Sequence, residues 1–137
     1  MESIKVPGDL KSLDVISDYV TTAAKKVNLD SKRTYKLRLA VDEIATNIVI
    51  HGYEAAGIQG NIKCQAEFGE ENLSIYLEDR GMQYDATLEA KPDDLNKPLE
   101  ERHIGGLGIY LAINGVDKYI YERHGNVNRN IFIVNTK

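Results

Sequence analysis

The sequence contains little that would cross-link the chain, bind nucleic acid or span a membrane. It has one cysteine, Cys64, which excludes an internal disulfide and a zinc site built from several cysteines. Its 17 basic residues against 21 acidic ones give a formal net charge of −4, so there is no basic nucleic-acid footprint. Apolar runs are short, and the N-terminus lacks an apolar core of signal-peptide length. These absences predict a cytoplasmic protein that contacts neither membrane nor nucleic acid directly.

The chain is interpreted as a single domain over residues 1–137, because it has no internal repeat, low-complexity tract or linker. Two segments with helical apolar spacing come first; Asp9 can cap one of them, and Asp30 or Ser31 can cap the other. The second helix is expected to end near His51 or shortly afterwards. The apolar positions are Leu13, Ile16, Val20, Ala23 or Ala24 and Val27 in the first helix, and Leu37, Val41, Ile44 and Ile48 in the second.

Beyond the second helix the apolar period changes from helical spacing to alternation, which is typical of half-buried antiparallel strands. In the first such run, the buried row is predicted to consist of Ile62, Cys64, Ala66 and Phe68. The fold class is therefore predicted as α+β, a two-layer sandwich in which an antiparallel or mixed, mostly antiparallel sheet has helices on one face. Strands are expected over residues 4–6, 62–68, 73–77, 117–122 and 130–134, with a further helix over 105–114.

Glu43 and Asn47 lie four residues apart on the second helix and therefore share one face, which His51 would extend. A carboxylate beside an amide oxygen can hold a hard cation such as Mg2+, or the carboxylate can accept a proton from a hydroxyl. The alternative is an incidental Glu/Asn pair on a solvated helix face.

Asp79 continues the parity of the apolar residues in its strand, so its carboxylate is predicted to point toward the core. A carboxylate there must be paired or face a pocket, and Gly81 two residues later permits close backbone approach. Acceptance of a hydrogen bond from an exocyclic amine would explain both features. The alternative is an ordinary Asp-x-Gly turn that ends the strand.

The glycine-rich run 105–108 opens a predicted helix, where exposed backbone amides can cradle phosphates. The run lacks the P-loop sequence, and no βαβ unit surrounds it. It is either a phosphate-binding turn or a glycine-rich hinge before a core helix.

Together these clusters resemble the nucleotide-binding boxes of the GHKL ATPases, a superfamily that includes gyrase and the histidine kinases. Residues 43–53 resemble the N-box, and residues 79–85 and 104–110 resemble the first and second glycine boxes. Three features resemble the branch of small bacterial anti-sigma-factor serine/threonine kinases: the short intervening segment, the Tyr84-Asp85 ending of the first glycine box, and Glu100-Glu101-Arg102 before the second. The resemblance implies the Bergerat ATP-binding fold with a lid at about 86–104, although Met82-Gln83 departs from the usual first glycine box.

The resemblance also implies roles for individual residues. Glu43 would be the catalytic base, Asn47 a Mg2+ ligand, and Asp79 the acceptor for the adenine amino group in a pocket shaped by Gly81. The remaining nucleotide contacts would be phosphate-binding amides at Gly105, Gly106, Leu107 and Gly108, a charge-neutralising side chain at Arg102, and a polar side chain near adenine at Asn130.

By resemblance, the protein would transfer the γ-phosphate of Mg-ATP to a serine or threonine of a STAS-type anti-sigma antagonist. It would also sequester a sigma factor, as a homodimer. Three alternatives stay open on the sequence: an ATP-dependent protein-binding switch without catalysis, a histidine-kinase-like ATPase domain, and an interaction domain without nucleotide.

Overall fold

The computed structural model describes residues 1–85 and 106–137, with side chains from 1–85 and 108–137. The expected lid, Arg102 and Gly105 therefore lie outside the described residues. The described secondary structure consists, in chain order, of β1 (Ile4–Pro7), α1 (Leu13–Lys26), α2 (Ser31–Asn47), β2 (Asn61–Phe68), β3 (Asn72–Asp79), α3 (Gly106–Ile113), β4 (Lys118–His124) and β5 (Val127–Asn135), with a 3-10 turn at Leu10–Ser12 and a π-helical segment at Ile48–Glu54.

The five strands form one sheet in the order β1-β2-β3-β5-β4, and all four described pairings are antiparallel. The sheet is thus antiparallel rather than mixed in this part of the chain. Leu77 is paired with Asn130 and Asp79 with Asn128, so polar residues of β5 share the core face with the apolar row of β3. Phe68, predicted to belong to the buried row of β2, is 39% exposed because it lies beside the hairpin turn at the strand's end.

The predicted helices are confirmed, with a change at the start of the first. A 3-10 turn precedes α1, and Ser12 Oγ donates a hydrogen bond to Asp9 Oδ1 at 3.2 Å instead of the capping bond expected from Asp9. Asp30 caps α2 by accepting a hydrogen bond from the Arg33 amide at 2.7 Å. The α2 residues predicted to face the core are all buried, and α2 packs against α1, α3 and β5.

The chain continues beyond Asn47 as a π-helical segment that ends at Glu54, a few residues after the expected helix end. The wider turn is visible in the i→i+5 hydrogen bond from the Ala55 amide to the Ile50 carbonyl, at 2.9 Å. Turns of this type often occur at functional sites. Here the segment leads the chain from α2 toward the end of β3, where the Met82 amide donates to the Gly52 carbonyl at 2.8 Å.

Candidate nucleotide site

Asp79 ends β3 with its side chain on the core face, as its strand parity predicts, and is only 4% exposed. Its Oδ1 accepts hydrogen bonds from the Gly81 amide at 2.9 Å and from Asn128 Nδ2 at 3.0 Å. Within the described residues, both hydrogen bonds to this carboxylate end on the same oxygen. The arrangement leaves Oδ2 as the atom suited to accept a hydrogen bond from a ligand.

Burial is the main influence on the Asp79 carboxyl and raises its pKa above the ordinary value near 3.8. The two hydrogen bonds and the positive charge of Arg123 oppose that rise, because each favours the ionised form. Asp79 is therefore a buried carboxyl group whose ionised form, which only accepts hydrogen bonds, is stabilised by these neighbours.

Gly81 lies against the backbone of Gly52 in the π-helical segment. A Cβ at position 81 would stand 2.6 Å from the Gly52 carbonyl oxygen and 2.8 Å from the carbonyl carbon. Only glycine allows this approach, because both colliding atoms belong to the main chain. The turn after Asp79 is thus held directly against the segment that follows α2.

Tyr53 braces the same turn from the core, and it is 2% exposed. Its hydroxyl donates to the Asn61 carbonyl at 2.6 Å and accepts a hydrogen bond from the Arg80 amide at 3.0 Å. Sequence reasoning gave Tyr53 no role of its own. The available signal was its place at the end of residues 43–53, the segment that resembles the N-box.

The carboxylate of Glu43 faces the first turn of α3. Both of its oxygens would lie 3.7 Å from a Cβ at Gly108, which is an ordinary contact distance. Gly106 is the first residue of α3, so the glycine run opens a helix as predicted, and amides of the first helical turn have no intrahelical acceptor. The structure thus brings the predicted base and part of the predicted phosphate-binding run together.

Asn47 is half-buried on α2, four residues after Glu43, and belongs to the same predicted face. Among residues 1–85 and 106–137, no three His, Cys, Asp or Glu side chains are grouped to hold a metal ion. A single amide oxygen still fits Mg2+, which commonly takes few protein ligands and completes its shell with phosphate oxygens and water. His51, in contrast, is exposed and stacks on Tyr84, with ring centroids 4.8 Å apart.

Asn128 is a further residue that sequence reasoning missed. It is 2% exposed, pairs with Asp79 across β3 and β5, and contacts that carboxylate directly. Asn130 lies one inward-facing position further along β5, where its Oδ1 accepts a hydrogen bond from Tyr119. Its expected place near adenine stays a prediction. The same inward parity that includes Asn130 also includes Asn128, so the signal was present.

Comparison with known proteins identifies the family of this chain. The sequence model of the family described as "Histidine kinase-like ATPase domain" matches residues 6–132, nearly the whole chain. The chain belongs to this family. Among curated proteins, it is 30% identical over 111 residues to the serine-protein kinase RsbW of Bacillus mycoides (strain KBAB4), covering 79% of this chain and 68% of that protein. It is 27% identical to the RsbW of Halalkalibacterium halodurans over 116 residues, covering 82% and 70% of the two chains. Within the family, it therefore falls in the branch of the RsbW serine-protein kinases.

Solved structures share the fold. A chain from the SiaB-SiaC complex of Pseudomonas aeruginosa superposes with a TM-score of 0.67 at 9% identity, covering 98% of this chain and 89% of that one. The histidine kinase AdeS of Acinetobacter baumannii gives a TM-score of 0.52 at 16% identity, covering 100% and 68% of the two chains. The α+β architecture is thus that of the kinase-like ATPases.

None of the described helices is both long and apolar enough to cross a bilayer.

Proposed function

We propose that this protein is an anti-sigma regulator that transfers the γ-phosphate of Mg-ATP to a serine or threonine of an anti-sigma antagonist. The observation that supports this most is the position of Glu43, whose carboxylate faces the start of α3 at Gly108. A nucleotide-binding switch needs acceptors and amides but no carboxylate at the phosphates, whereas transfer to a hydroxyl benefits from one.

In the proposed reaction, each group has a defined task. Asp79 Oδ2 accepts a hydrogen bond from the adenine amino group and so fixes the base. The amides at the start of α3, with the positive end of the helix dipole, hold the phosphates. Glu43 orients the attacking hydroxyl and accepts its proton as the new oxygen–phosphorus bond forms, while the bond between the γ-phosphorus and the β,γ-bridging oxygen breaks and ADP leaves. Asn47 would hold Mg2+, which supplies charge neutralisation between the phosphates when bound.

The proposed partners are inferred from similar proteins and not from a surface of the described residues. The similar curated proteins are named serine-protein kinases, and the similar structure comes from a two-protein complex. We propose a STAS-type antagonist as the phosphoacceptor and a sigma factor as the sequestered partner of a homodimer. Phosphorylation would release the antagonist and leave the kinase free to hold the sigma factor.

The test is transfer of labelled γ-phosphate from Mg-ATP to proteins that co-purify with the chain, followed by identification of the modified residue. Glu43→Gln should keep ATP binding and lose transfer, with a rate about 100-fold lower or more. Asp42→Asn is the matched control, because Asp42 neighbours Glu43 on α2 and has no assigned role in the reaction. Bound ATP without transfer in the wild type would favour a non-catalytic switch. Equal transfer by Glu43→Gln would remove Glu43 as the base.

A further inference from the structure

Two side chains on the edge strand β4 reach Asn128 from the side opposite Asp79. Tyr121 Oη and Arg123 Nη1 each donate a hydrogen bond to Asn128 Oδ1, both at 2.7 Å. The Asn128 amide nitrogen donates in turn to Asp79 Oδ1 and to the Gly81 carbonyl, both at 3.0 Å. A continuous hydrogen-bonded chain therefore runs from the edge of the sheet to Asp79.

The orientation of the Asn128 amide is fixed by chemistry. A guanidinium only donates hydrogen bonds, so the atom facing Arg123 must be the amide oxygen. An ionised carboxylate only accepts them, so the atom facing Asp79 must be the amide nitrogen. In the reversed orientation, the amide nitrogen would face the Arg123 guanidinium, donor against donor, and the amide oxygen would face the Asp79 carboxylate, acceptor against acceptor.

Asn128 has no hydrogen-bonding capacity left for a ligand. An asparagine side chain offers two donors and an oxygen with two lone pairs, and these four bonds use all of them. Asn128 therefore acts through Asp79 and is a positioning residue.

We propose that Tyr121 and Arg123, acting through Asn128, hold Asp79 as an ionised acceptor and so make the site select purines that carry an amino group at C6. This inference rests on the proposed function, because it assumes that the base lies against Asp79. An ionised Oδ2 accepts a hydrogen bond from a 6-amino group and repels a 6-oxo group. Without the two donors, Asn128 Oδ1 would be a buried acceptor lacking partners, and the side chain would reorient away from Asp79.

Tyr119 provides a matched comparison on the same strand. It shares the inward face of β4 with Tyr121 and also donates its hydroxyl to an asparagine of β5, but that asparagine is Asn130. Within the described residues, its hydrogen bond does not reach Asp79. Tyr119→Phe and Tyr121→Phe thus each remove one hydroxyl that donates to an asparagine of β5, and only the second removes a donor to Asn128.

The experiment measures the affinity of the full chain for ATP, inosine triphosphate and purine riboside triphosphate, which carry an amino group, an oxygen and hydrogen at C6. The wild type should prefer ATP over both analogues. Tyr121→Phe with Arg123→Met should reduce this preference about tenfold, and Tyr121→Phe alone by a smaller factor. Tyr119→Phe should keep the wild-type preference. A purely structural role would weaken all three nucleotides equally and leave the ratios unchanged.

The outcomes separate the two claims. If the wild type binds ATP selectively and both Tyr121 variants keep its selectivity, the positioning role is overturned and the proposed function stands. A loss of selectivity in Tyr119→Phe but not in Tyr121→Phe would overturn it in favour of Asn130. If the wild type binds none of the three nucleotides, both the inference and the proposed function fail. Circular dichroism spectra establish that each variant is folded, and the single Tyr121→Phe variant serves if the double variant does not fold.

Discussion

The contact between Gly81 and Gly52 makes a strong prediction, because it joins the turn after Asp79 to the segment after α2. In Gly81→Ala, the new Cβ would lie 2.6 Å from a main-chain oxygen, 2.8 Å from its carbon and 3.1 Å from the Gly52 Cα. No rotamer change relieves a collision between backbones, so the two segments must separate. Overpacking costs about 1–3 kcal/mol, and loss of the Met82–Gly52 hydrogen bond adds about 1 kcal/mol.

We therefore expect the free energy of unfolding to fall by about 2–4 kcal/mol in urea titrations, and the Tm by roughly 6–16 °C. Gly52→Ala is the matched control, because it places the same methyl group on the other glycine of this contact. There the Cβ would come no closer than 3.8–3.9 Å to its nearest neighbours. That variant should be within about 1 kcal/mol of the wild type. A Gly81→Ala variant as stable as Gly52→Ala would refute the close approach.

Two further predictions concern the same turn. Tyr53→Phe removes the hydroxyl that bonds to Asn61 and Arg80, so urea unfolding should report a loss of about 1–2 kcal/mol, while exposed Tyr35→Phe should cost nothing measurable. Burial raises the pKa of Asp79, so the folded state binds a proton at this carboxyl more readily than the unfolded state does. As the pH falls, the carboxyl becomes neutral in the folded protein and the cost of burying its charge disappears. Between neutral pH and about pH 4, wild-type stability should therefore rise relative to Asp79→Asn; a constant difference would contradict the raised pKa.

Local patterns in the sequence were sufficient for most of the fold. The helical stripe of α2 and the alternation in β2 and β3 predict elements that the structure confirms, because burial of one face governs both patterns. The π-helical segment was not predicted, because the apolar spacing of α2 does not distinguish a π turn from an α turn, and the hydrogen bond between Met82 and Gly52 joins residues far apart in sequence. The predicted burial of Phe68 was wrong, because an alternating pattern does not show where along its length a strand extends beyond the core.

For the site, strand parity alone pointed Asp79 inward, whereas its partner could not be chosen without register. Asn128 and Asn130 have the same parity, and only the pairing of β3 with β5 places Asn128 opposite the carboxylate. Glu43 and the glycine run are far apart in sequence, and their approach depends on the packing of α3 against α2. The contribution of Tyr121 and Arg123 likewise requires the neighbouring edge strand.

The proposed function depends on recognition of the base of a bound Mg-ATP by Asp79. Calorimetric titration of the wild type, Asp79→Asn and the control Asp42→Asn with ATP in the presence of Mg2+ tests it most directly. We predict saturable binding by the wild type and the control, and an affinity at least about tenfold lower for Asp79→Asn, because an amide can turn its own donor toward the adenine amine. Equal affinity of Asp79→Asn and wild type for ATP would contradict the account.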